Sequence, residues 1–201
     1  MLNDVILRIP TMYRLFQWAN GADKMRRIYA KEYMRLDETA SILDIACGTA
    51  DILNYVEDRA HTGVDLSQKY IEYDKRRYRK KENAQFICAD ANEYLQADRR
   101  RYDLILLMGI MHHLNDGELR SCLNMLKTQI DCCGGRLLTL DGVYQPGLTR
   151  FERALLDGDR GKHIRTLEQY LAIFMEYFPD YRYEIRKNLY FLPYNILLFY
   201  K

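Results

Sequence analysis

A turn of small residues and a later acid lie in a pattern that can hold a nucleoside. The apolar stretch 41–45 leads into small residues at 46–50, and the next apolar run ends at Asp65. Small residues let backbone N–H and C=O groups approach a ligand closely, and an acid at the end of the following strand can bind both hydroxyls of a ribose. This spacing predicts a strand, a tight turn and a nucleoside site.

The turn is poor in glycine and ends at an acid. A dinucleotide enzyme needs the pattern G-x-G-x-x-G, because the pyrophosphate lies on the helix N-terminus, and only Gly48 of that set is present. Asp51 would repel a phosphate and suit a positively charged ligand, although it could equally be a favourable charge at a helix N-terminus. The turn therefore favours a cationic nucleoside over NAD.

The composition excludes several classes of protein. The 201 residues suffice for one domain with a sizeable core, and a net charge of +2 lacks the basic excess typical of nucleic-acid-binding domains. There is no apolar run of the ~18 residues that a membrane helix needs, and no signal-peptide pattern. The five cysteines include no C-x-x-C pair. We expect a cytoplasmic protein without nucleic-acid or membrane partners and without a bound metal.

Strand and helix patterns alternate along most of the chain, and this predicts an α/β fold with a doubly wound, mostly parallel sheet. Asn20 and Gly21 interrupt the helical pattern of 12–34, so two helices are expected there. Two late strands close together predict a C-terminal antiparallel pair. The seven predicted strands are 42–46, 62–65, 85–89, 102–108, 136–140, 183–187 and 196–200. The later helices are predicted at 51–57, 68–80, 116–129, 149–157 and 166–178.

Five motifs in order give the chain a resemblance to the class I S-adenosylmethionine-dependent methyltransferases. Segment 44–50 is similar to the family's first motif, D/E-x-G-x-G-x-G, with alanine at two of the glycine positions. Segments 63–67, 86–91, 102–114 and 134–138 resemble the motifs that follow. Each motif alone is weak, but five at normal spacing are specific. The resemblance implies a Rossmann-like methyltransferase fold of seven strands that binds S-adenosyl-L-methionine and releases S-adenosyl-L-homocysteine.

The resemblance also assigns residues to the cofactor. It implies that Asp65 binds the ribose hydroxyls, while Asp90 and the backbone of Ala91 contact the adenine; taken alone, Asp90 could be a helix N-cap. Arg26 or Arg27 could reach the cofactor's carboxylate. The predicted cofactor-binding residues are Asp44, Ala46, Cys47, Gly48, Asp51, Asp65, Leu66, Asp90, Ala91, Met108, Tyr13 and Arg27.

We interpret residues 1–201 as a single methyltransferase domain. Its predicted parts are an N-terminal helical lid (1–36), a cofactor-binding core (37–141), a helical substrate cap (142–180) and the terminal strand pair (181–201). Tyr13, Phe16 and Trp18 could cover the cofactor from the lid, although core packing explains these aromatic residues almost as well.

Methyl transfer from a sulfonium needs alignment of the nucleophile, and a base only where the nucleophile carries a proton. The candidates for catalysis are His112, His113, Tyr144 and His163. A basic run beyond the fifth strand could clamp a carboxylate or phosphate, or could pair with Asp157 and Asp159. The predicted substrate-binding residues are Arg150, Arg153, Arg160 and Arg165. The resemblance implies transfer to the O, N or C nucleophile of a small-molecule acceptor, and the basic run adds the hypothesis that this acceptor is anionic.

Three other functions stay open. A partner or accessory protein that binds S-adenosylmethionine without transferring a methyl group would carry the same motifs. An RNA methyltransferase is disfavoured by the near-neutral charge and by segment 109–112, which lacks the N-P-P-Y type of motif. An NAD-dependent oxidoreductase is disfavoured by the turn and by Asp51.

Overall fold

A single sheet of eight strands organises the chain. The computed structural model describes residues 9–37, 40–56, 59–98, 100–159 and 161–201. Within these ranges the strands are β1 (Ser41–Ile45), β2 (Ala60–Asp65), β3 (Ala84–Cys88), β4 (Leu104–Met108), β5 (Arg136–Tyr144), β6 (Arg165–Thr166), β7 (Arg182–Arg186) and β8 (Ile196–Tyr200). Their order is β3-β2-β1-β4-β5-β8-β7, and β6 pairs with the end of β5. The first five strands run parallel, whereas β8 is antiparallel to β5 and β7.

Each central strand contributes side chains to two apolar layers, because successive side chains of a strand point to opposite faces of the sheet. On β4, Ile105 and Leu107 pack in one layer, and Leu104 and Leu106 pack in the other. All four side chains are fully buried. A strand covered on both faces needs an apolar residue at every position, which explains the unbroken apolar run in the sequence.

Helices cover both faces of the sheet. They are α1 (Pro10–Ala19), α2 (Ala22–Tyr29), α3 (Gln68–Arg77), α4 (Ala91–Ala97), α5 (Asp116–Cys133), α6 (Arg150–Asp157) and α7 (Leu167–Tyr177). Shorter helical turns span Ala30–Met34, Asp51–Tyr55 and Met111–His113. Three helices begin with a reciprocal capping box, formed by the pairs Asn115/Glu118, Thr149/Glu152 and Thr166/Gln169. Across the described ranges, none of the helices combines the length and apolar character needed to cross a bilayer.

The predicted architecture is confirmed, and the differences have local causes. The doubly wound parallel sheet, the break at Gly21 and the antiparallel pair are all present. Helix α4 and the eighth strand, β6, were not predicted, since seven and two residues are too short for a clear periodicity. Strand β5 runs four residues beyond its predicted end, because β8 pairs with it at Asp141 and Gly142. The division into lid, core and cap stays a prediction.

The strand order fixes where a ligand can enter. The chain leaves β1 towards β2 on one side, and β4 lies on the other side, so the order reverses between β1 and β4. In open α/β sheets the crevice outside the carboxyl ends of the strands at such a switch point is the usual ligand site. The turn after β1 and the residues after β4 meet at this edge.

Candidate active site

A cavity of about 230 Å³ lies at this switch point. Its wall combines the turn after β1, the end of β4, part of β5, helices α1 and α2, and the loops around positions 158 and 190–194. Seven predicted cofactor-binding residues line it, namely Tyr13, Asp44, Ala46, Cys47, Gly48, Asp51 and Met108. The sequence pattern therefore brings its first motif, its lid residue and the end of its fourth motif together at one cavity.

The turn after β1 is built from left-handed backbone. Ala46, Gly48 and Ala50 have φ values of 57°, 59° and 45°, which cost energy for alanine and none for glycine. The Cys47 N–H donates to the Val64 carbonyl at 3.0 Å, and the Ala50 N–H donates to Cys47 at 2.9 Å. A side chain at Gly48 would meet Tyr13 at 3.8 Å and no closer atom, so the turn faces open space with Tyr13 above it.

The carboxylate at the end of β2 is fastened by two backbone groups. Asp65 accepts the Gly48 N–H at 2.9 Å and the Ser67 N–H at 2.8 Å. Ser67 takes the N-cap position of α3, but its hydroxyl makes no capping bond. Leu66 next to it is 74% exposed. Asp65 and Leu66 do not line the cavity but lie on the same edge of the sheet, so their contact with the cofactor stays a prediction.

Asp90 takes the N-cap position that the sequence left open. Its Oδ1 accepts the backbone N–H groups of Asn92 and Glu93 at the start of α4. Asp90 is exposed, and neither it nor Ala91 lines the cavity. Because β3 is the neighbour of β2, Asp90 stands at the carboxyl edge of the sheet beyond Asp65. A role of Asp90 and Ala91 at an adenine ring remains a prediction.

Asp51 is surrounded by guanidinium groups. Its carboxylate lies 3.0 Å from Arg14 Nε, 2.5 Å from Arg77 Nη1 and 4.0 Å from Arg26 Nη2. Burial opposes its ionisation, but these cations and the Thr49 hydroxyl together lower the pKa of Asp51. Arg26 also pairs with Asp23 at 3.4 Å, and Asp44 lines the same cavity, so this end holds both cations and acids. The contact of Asp51 with a cationic ligand stays a prediction.

Arg26, rather than the predicted Arg27, faces the cavity. Arg26 is buried, lines the cavity and donates to Gln17 Oε1 at 2.9 Å. Arg27 is exposed and points elsewhere, because adjacent residues of a helix differ by about 100° in direction. The sequence allowed both arginines, and only the rotation of α2 decides between them.

His112 links two buried or half-buried carboxylates. Its Nδ1 lies 2.5 Å from Asp141 Oδ1, and its Nε2 lies 3.1 Å from Asp159 Oδ1. Burial lowers the pKa of His112, but the two carboxylates outweigh burial and raise it to about 10. A ring with both nitrogens engaged is suited to holding the two acids in place. A catalytic role of His112 stays a prediction.

Asp141 and Asp159 have further partners that hold them in place. Asp141 accepts the N–H groups of Met111 at 2.8 Å and Gly142 at 3.0 Å. Asp159 accepts the Gly161 N–H at 2.9 Å and the Tyr194 hydroxyl at 2.8 Å. A Cβ at position 161 would collide with the His112 ring at 1.7 Å, so only glycine lets this loop lie against the histidine.

The other catalytic candidates lie in different surroundings. His113 lines the cavity, is exposed and lies 4.3 Å from the His112 ring, centroid to centroid. Tyr144 donates to Asp157 at 2.6 Å, and neither it nor His163 lines the cavity. The structure therefore brings only His113 of these three to the candidate active site.

The predicted arginine clamp is not assembled as expected. Arg165 is buried, and its guanidinium binds Asp116 at 2.7 Å and the carbonyls of Met111 and Leu114 at 2.9 and 2.7 Å, so it holds the loop after β4 and is not open to a substrate. Arg150 and Arg153 are exposed on α6 and do not line the cavity. Arg160 lies outside the described residues.

Asp159, Tyr190 and Tyr194 are among the lining residues that were not assigned to the site from the sequence. The only signal for the two tyrosines is the abundance of tyrosine, 17 in the chain, towards the C-terminus. Asp159 was considered only as a partner of the arginines. These residues come from loops more than 30 positions apart, and no local pattern records their approach.

The comparisons with known proteins agree with this geometry. A family model described as a methyltransferase domain matches residues 42–130. The ubiquinone biosynthesis O-methyltransferase of Coxiella burnetii is 26% identical over 133 residues, which are 60% of this chain and 54% of that protein. The chain thus spans about half the length of the curated relatives it matches.

Solved structures show the same fold at low identity. The human N-acetylserotonin methyltransferase, solved in complex with S-adenosylmethionine, matches with a TM-score of 0.62 at 17% sequence identity. The alignment covers 89% of this chain and 51% of the human chain. The [4+2]-cyclase SpnF matches with a TM-score of 0.63 at 19% sequence identity. The alignment covers 83% of this chain and 60% of the SpnF chain. The comparisons thus show a match to a methyltransferase domain over residues 42–130, and the strand order with its cavity at the switch point is similar to the fold of the class I S-adenosylmethionine-dependent methyltransferases.

Proposed function

We propose that this protein binds S-adenosylmethionine at the switch point and transfers its methyl group to a small molecule. The observation that carries the proposal is Asp65, fastened to the Gly48 and Ser67 N–H groups beside a cavity lined by the small residues of the turn. An acid for a ribose beside a turn without the phosphate-binding glycines fits a nucleoside that carries no phosphate. The match to an O-methyltransferase supports transfer as the reaction.

The residues around the cavity fit the two ends of this cofactor. Asp65 would hold the ribose, with Asp90 and the Ala91 backbone at the adenine. Arg26, the buried guanidinium on the cavity wall beside Asp51, would bind the methionine carboxylate. Tyr13, above Gly48, would close over the bound molecule.

The remaining task of the chain is alignment and exclusion of water. When bound, the cofactor supplies a methyl group that is already electrophilic, and transfer is an in-line displacement. Tyr13 and Phe16 from α1, together with Tyr190 and Tyr194, line the cavity and would limit the access of water. His113 is the residue that we propose as proton acceptor where the nucleophile carries a proton, because it is exposed on the wall.

Calorimetry with S-adenosylmethionine, S-adenosylhomocysteine and NAD tests the proposal. We expect the first two to bind and NAD to give no heat. Binding of NAD alone would overturn it. A labelled methyl group should then pass from S-adenosylmethionine into a small-molecule extract; binding without any transfer would support the accessory-protein alternative.

A matched pair of variants tests the assignment of the carboxylate partner. Arg26→Ala should weaken binding of S-adenosylhomocysteine about 10-fold, which corresponds to ~1.4 kcal/mol. Arg27→Ala, in the exposed neighbour outside the cavity, should leave the Kd unchanged. Equal effects of both substitutions would contradict the assignment.

A further inference from the structure

A second cavity of about 200 Å³ adjoins the first. It shares six wall residues with it and extends between helix α1, the end of α6 and the loop before β8. Its walls are mainly apolar or aromatic, with Phe16, Leu155, Leu192, Tyr190 and Tyr194. The Tyr190 and Tyr194 rings meet edge to face at 6.2 Å. This space suits a flat or apolar molecule of modest size.

The walls of this second cavity are fixed by close backbone packing. The Phe191 ring lies against Gly21, where a Cβ would approach it to 2.8 Å, and the Phe191 N–H donates to the Asn20 carbonyl at 3.0 Å. A Cβ at Gly142 would lie 2.8 Å from the Tyr194 hydroxyl. Glycine at both positions therefore lets the loop before β8 close onto the sheet and onto α1.

The charge on the wall is negative. Asp159 lines both cavities, and among the described residues no arginine or lysine lines the second one. Asp141 and Asp159 share the single imidazolium of His112, so this cluster carries a net charge of −1. The Tyr194 hydroxyl donates to Asp159 Oδ2, and His112 and Gly161 occupy Oδ1. A carboxylate oxygen has two acceptor positions, so Oδ2 can accept one more donor.

We propose that the second cavity is the acceptor site and that Asp159 selects the acceptor, which is an apolar or aromatic molecule with a hydroxyl or a protonated amine. The donor group binds Asp159, and the ring or chain lies between Phe16, Leu155 and the two tyrosines. The net negative cluster repels a carboxylate or phosphate at the same place. This inference rests on the proposed transfer function and replaces the anionic acceptor suggested by the arginine-rich segment.

Three probes of equal size test the charge preference. Benzylamine, benzyl alcohol and benzoate are titrated, by ligand-observed NMR, into the protein saturated with S-adenosylhomocysteine. We expect benzylamine and benzyl alcohol to bind at least 10-fold more tightly than benzoate. Tighter binding of benzoate, equal binding of all three or binding of none would overturn the proposal. Failure to bind S-adenosylhomocysteine would instead count against the proposed function.

Variants separate recognition by Asp159 from its structural role. Asp159→Asn should abolish the preference for benzylamine over benzoate while the Kd of S-adenosylhomocysteine changes less than twofold. Asp157→Asn is the matched control, because this exposed acid binds Tyr144 outside both cavities and should leave the preference intact. Leu155→Trp fills the cavity without touching the His112 cluster and should weaken all three probes. The assignment would be overturned if Asp159→Asn kept the preference for benzylamine or if Leu155→Trp still bound the probes with wild-type affinity. It would also be overturned if the protein preferred benzoate and Arg160→Ala removed that preference.

Discussion

At the scale of single residues, His112 joins the end of the fourth strand to two acids. It is an imidazolium between Asp141 and Asp159, with the pKa raised to about 10 by these carboxylates against the effect of burial. A pKa above the unfolded value of about 6.5 means stability that is complete below pH 6.5 and is lost as the pH rises through 10. The protonated histidine therefore stabilises the folded protein at neutral pH.

His112→Gln should lower the free energy of unfolding by about 3 kcal/mol at pH 7, because two acids lose their shared cation. The difference from wild type should shrink between pH 7 and 10, where the wild-type histidine loses its proton. Urea denaturation across this range measures both effects. Two pH profiles that stay parallel would show that His112 is neutral in the folded protein.

Asp74 is a second buried group with a raised pKa, but in this case burial is the cause and ionisation destabilises the fold. This side chain of α3 is fully buried, and neither oxygen accepts a hydrogen bond within the described part of the protein. Burial, opposed by Arg77, raises the pKa of Asp74 to about 8. Folding then favours the protonated acid, so stability is complete below the unfolded pKa of about 3.9 and falls as the pH rises through 8.

Asp74→Asn removes this ionisation. The variant should match wild type near pH 4 and exceed it at pH 8 by on the order of 1–3 kcal/mol, since a buried unpaired carboxylate is replaced by a neutral group. Thermal denaturation at the two pH values tests the prediction. A variant that is less stable at pH 8 would mean that Asp74 is ionised and paired in solution.

At the scale of elements, Arg165 fastens the segment between β4 and α5. Arg165→Ala should cost about 2–4 kcal/mol, because it leaves the Met111 and Leu114 carbonyls without their partner and removes a buried cation from Asp116. Arg150→Ala, on an exposed position of α6, should change stability by less than about 0.5 kcal/mol. If the two variants were equally stable and only Arg165→Ala lost acceptor binding, the predicted role of Arg165 in an arginine clamp would be supported.

The elements also show how far the sequence determines the site. Periodicity predicts β1, β4 and β8 within a residue or two, because their burial is encoded residue by residue. The turn after β1 is predictable as well, since its small residues are needed for its left-handed backbone. The choice of Arg26 over Arg27 is not predictable, because it depends on how α2 is rotated against the sheet. Asp159 reaches His112 only through tertiary packing, across 47 positions of the chain.

At the scale of the whole molecule, the two ends of the cleft differ in their charged groups. Three arginines, Arg14, Arg26 and Arg77, surround Asp51 beside α1 and α2, whereas two acids flank the single imidazolium of His112. The guanidinium groups would attract the carboxylate of the proposed cofactor, and the acids would attract a hydrogen-bond donor of the proposed acceptor. This difference supports the proposed direction of the cleft, from cofactor to acceptor.

Helix α1 lines this cleft and is held mainly by polar links. It has no buried residue, and its apolar side chains Leu15, Phe16 and Trp18 are more than half exposed. Arg14 connects it to Asp51 at 3.0 Å and to the Tyr73 hydroxyl at 2.8 Å. A helix with so little buried apolar surface has a low free energy of local opening. It is therefore the part of the described chain best suited to admit and release ligands.

Hydrogen exchange followed by mass spectrometry tests this behaviour. The amides of residues 11–19 should exchange faster than those of β4. Saturating S-adenosylhomocysteine should slow them at least 10-fold, because a molecule bound on the turn would lie under Tyr13. Arg14→Ala should speed their exchange in the free protein and weaken ligand binding without unfolding the sheet. Exchange at α1 that is the same with and without the ligand would show that the helix is a fixed wall of the cavity and takes no part in its closure.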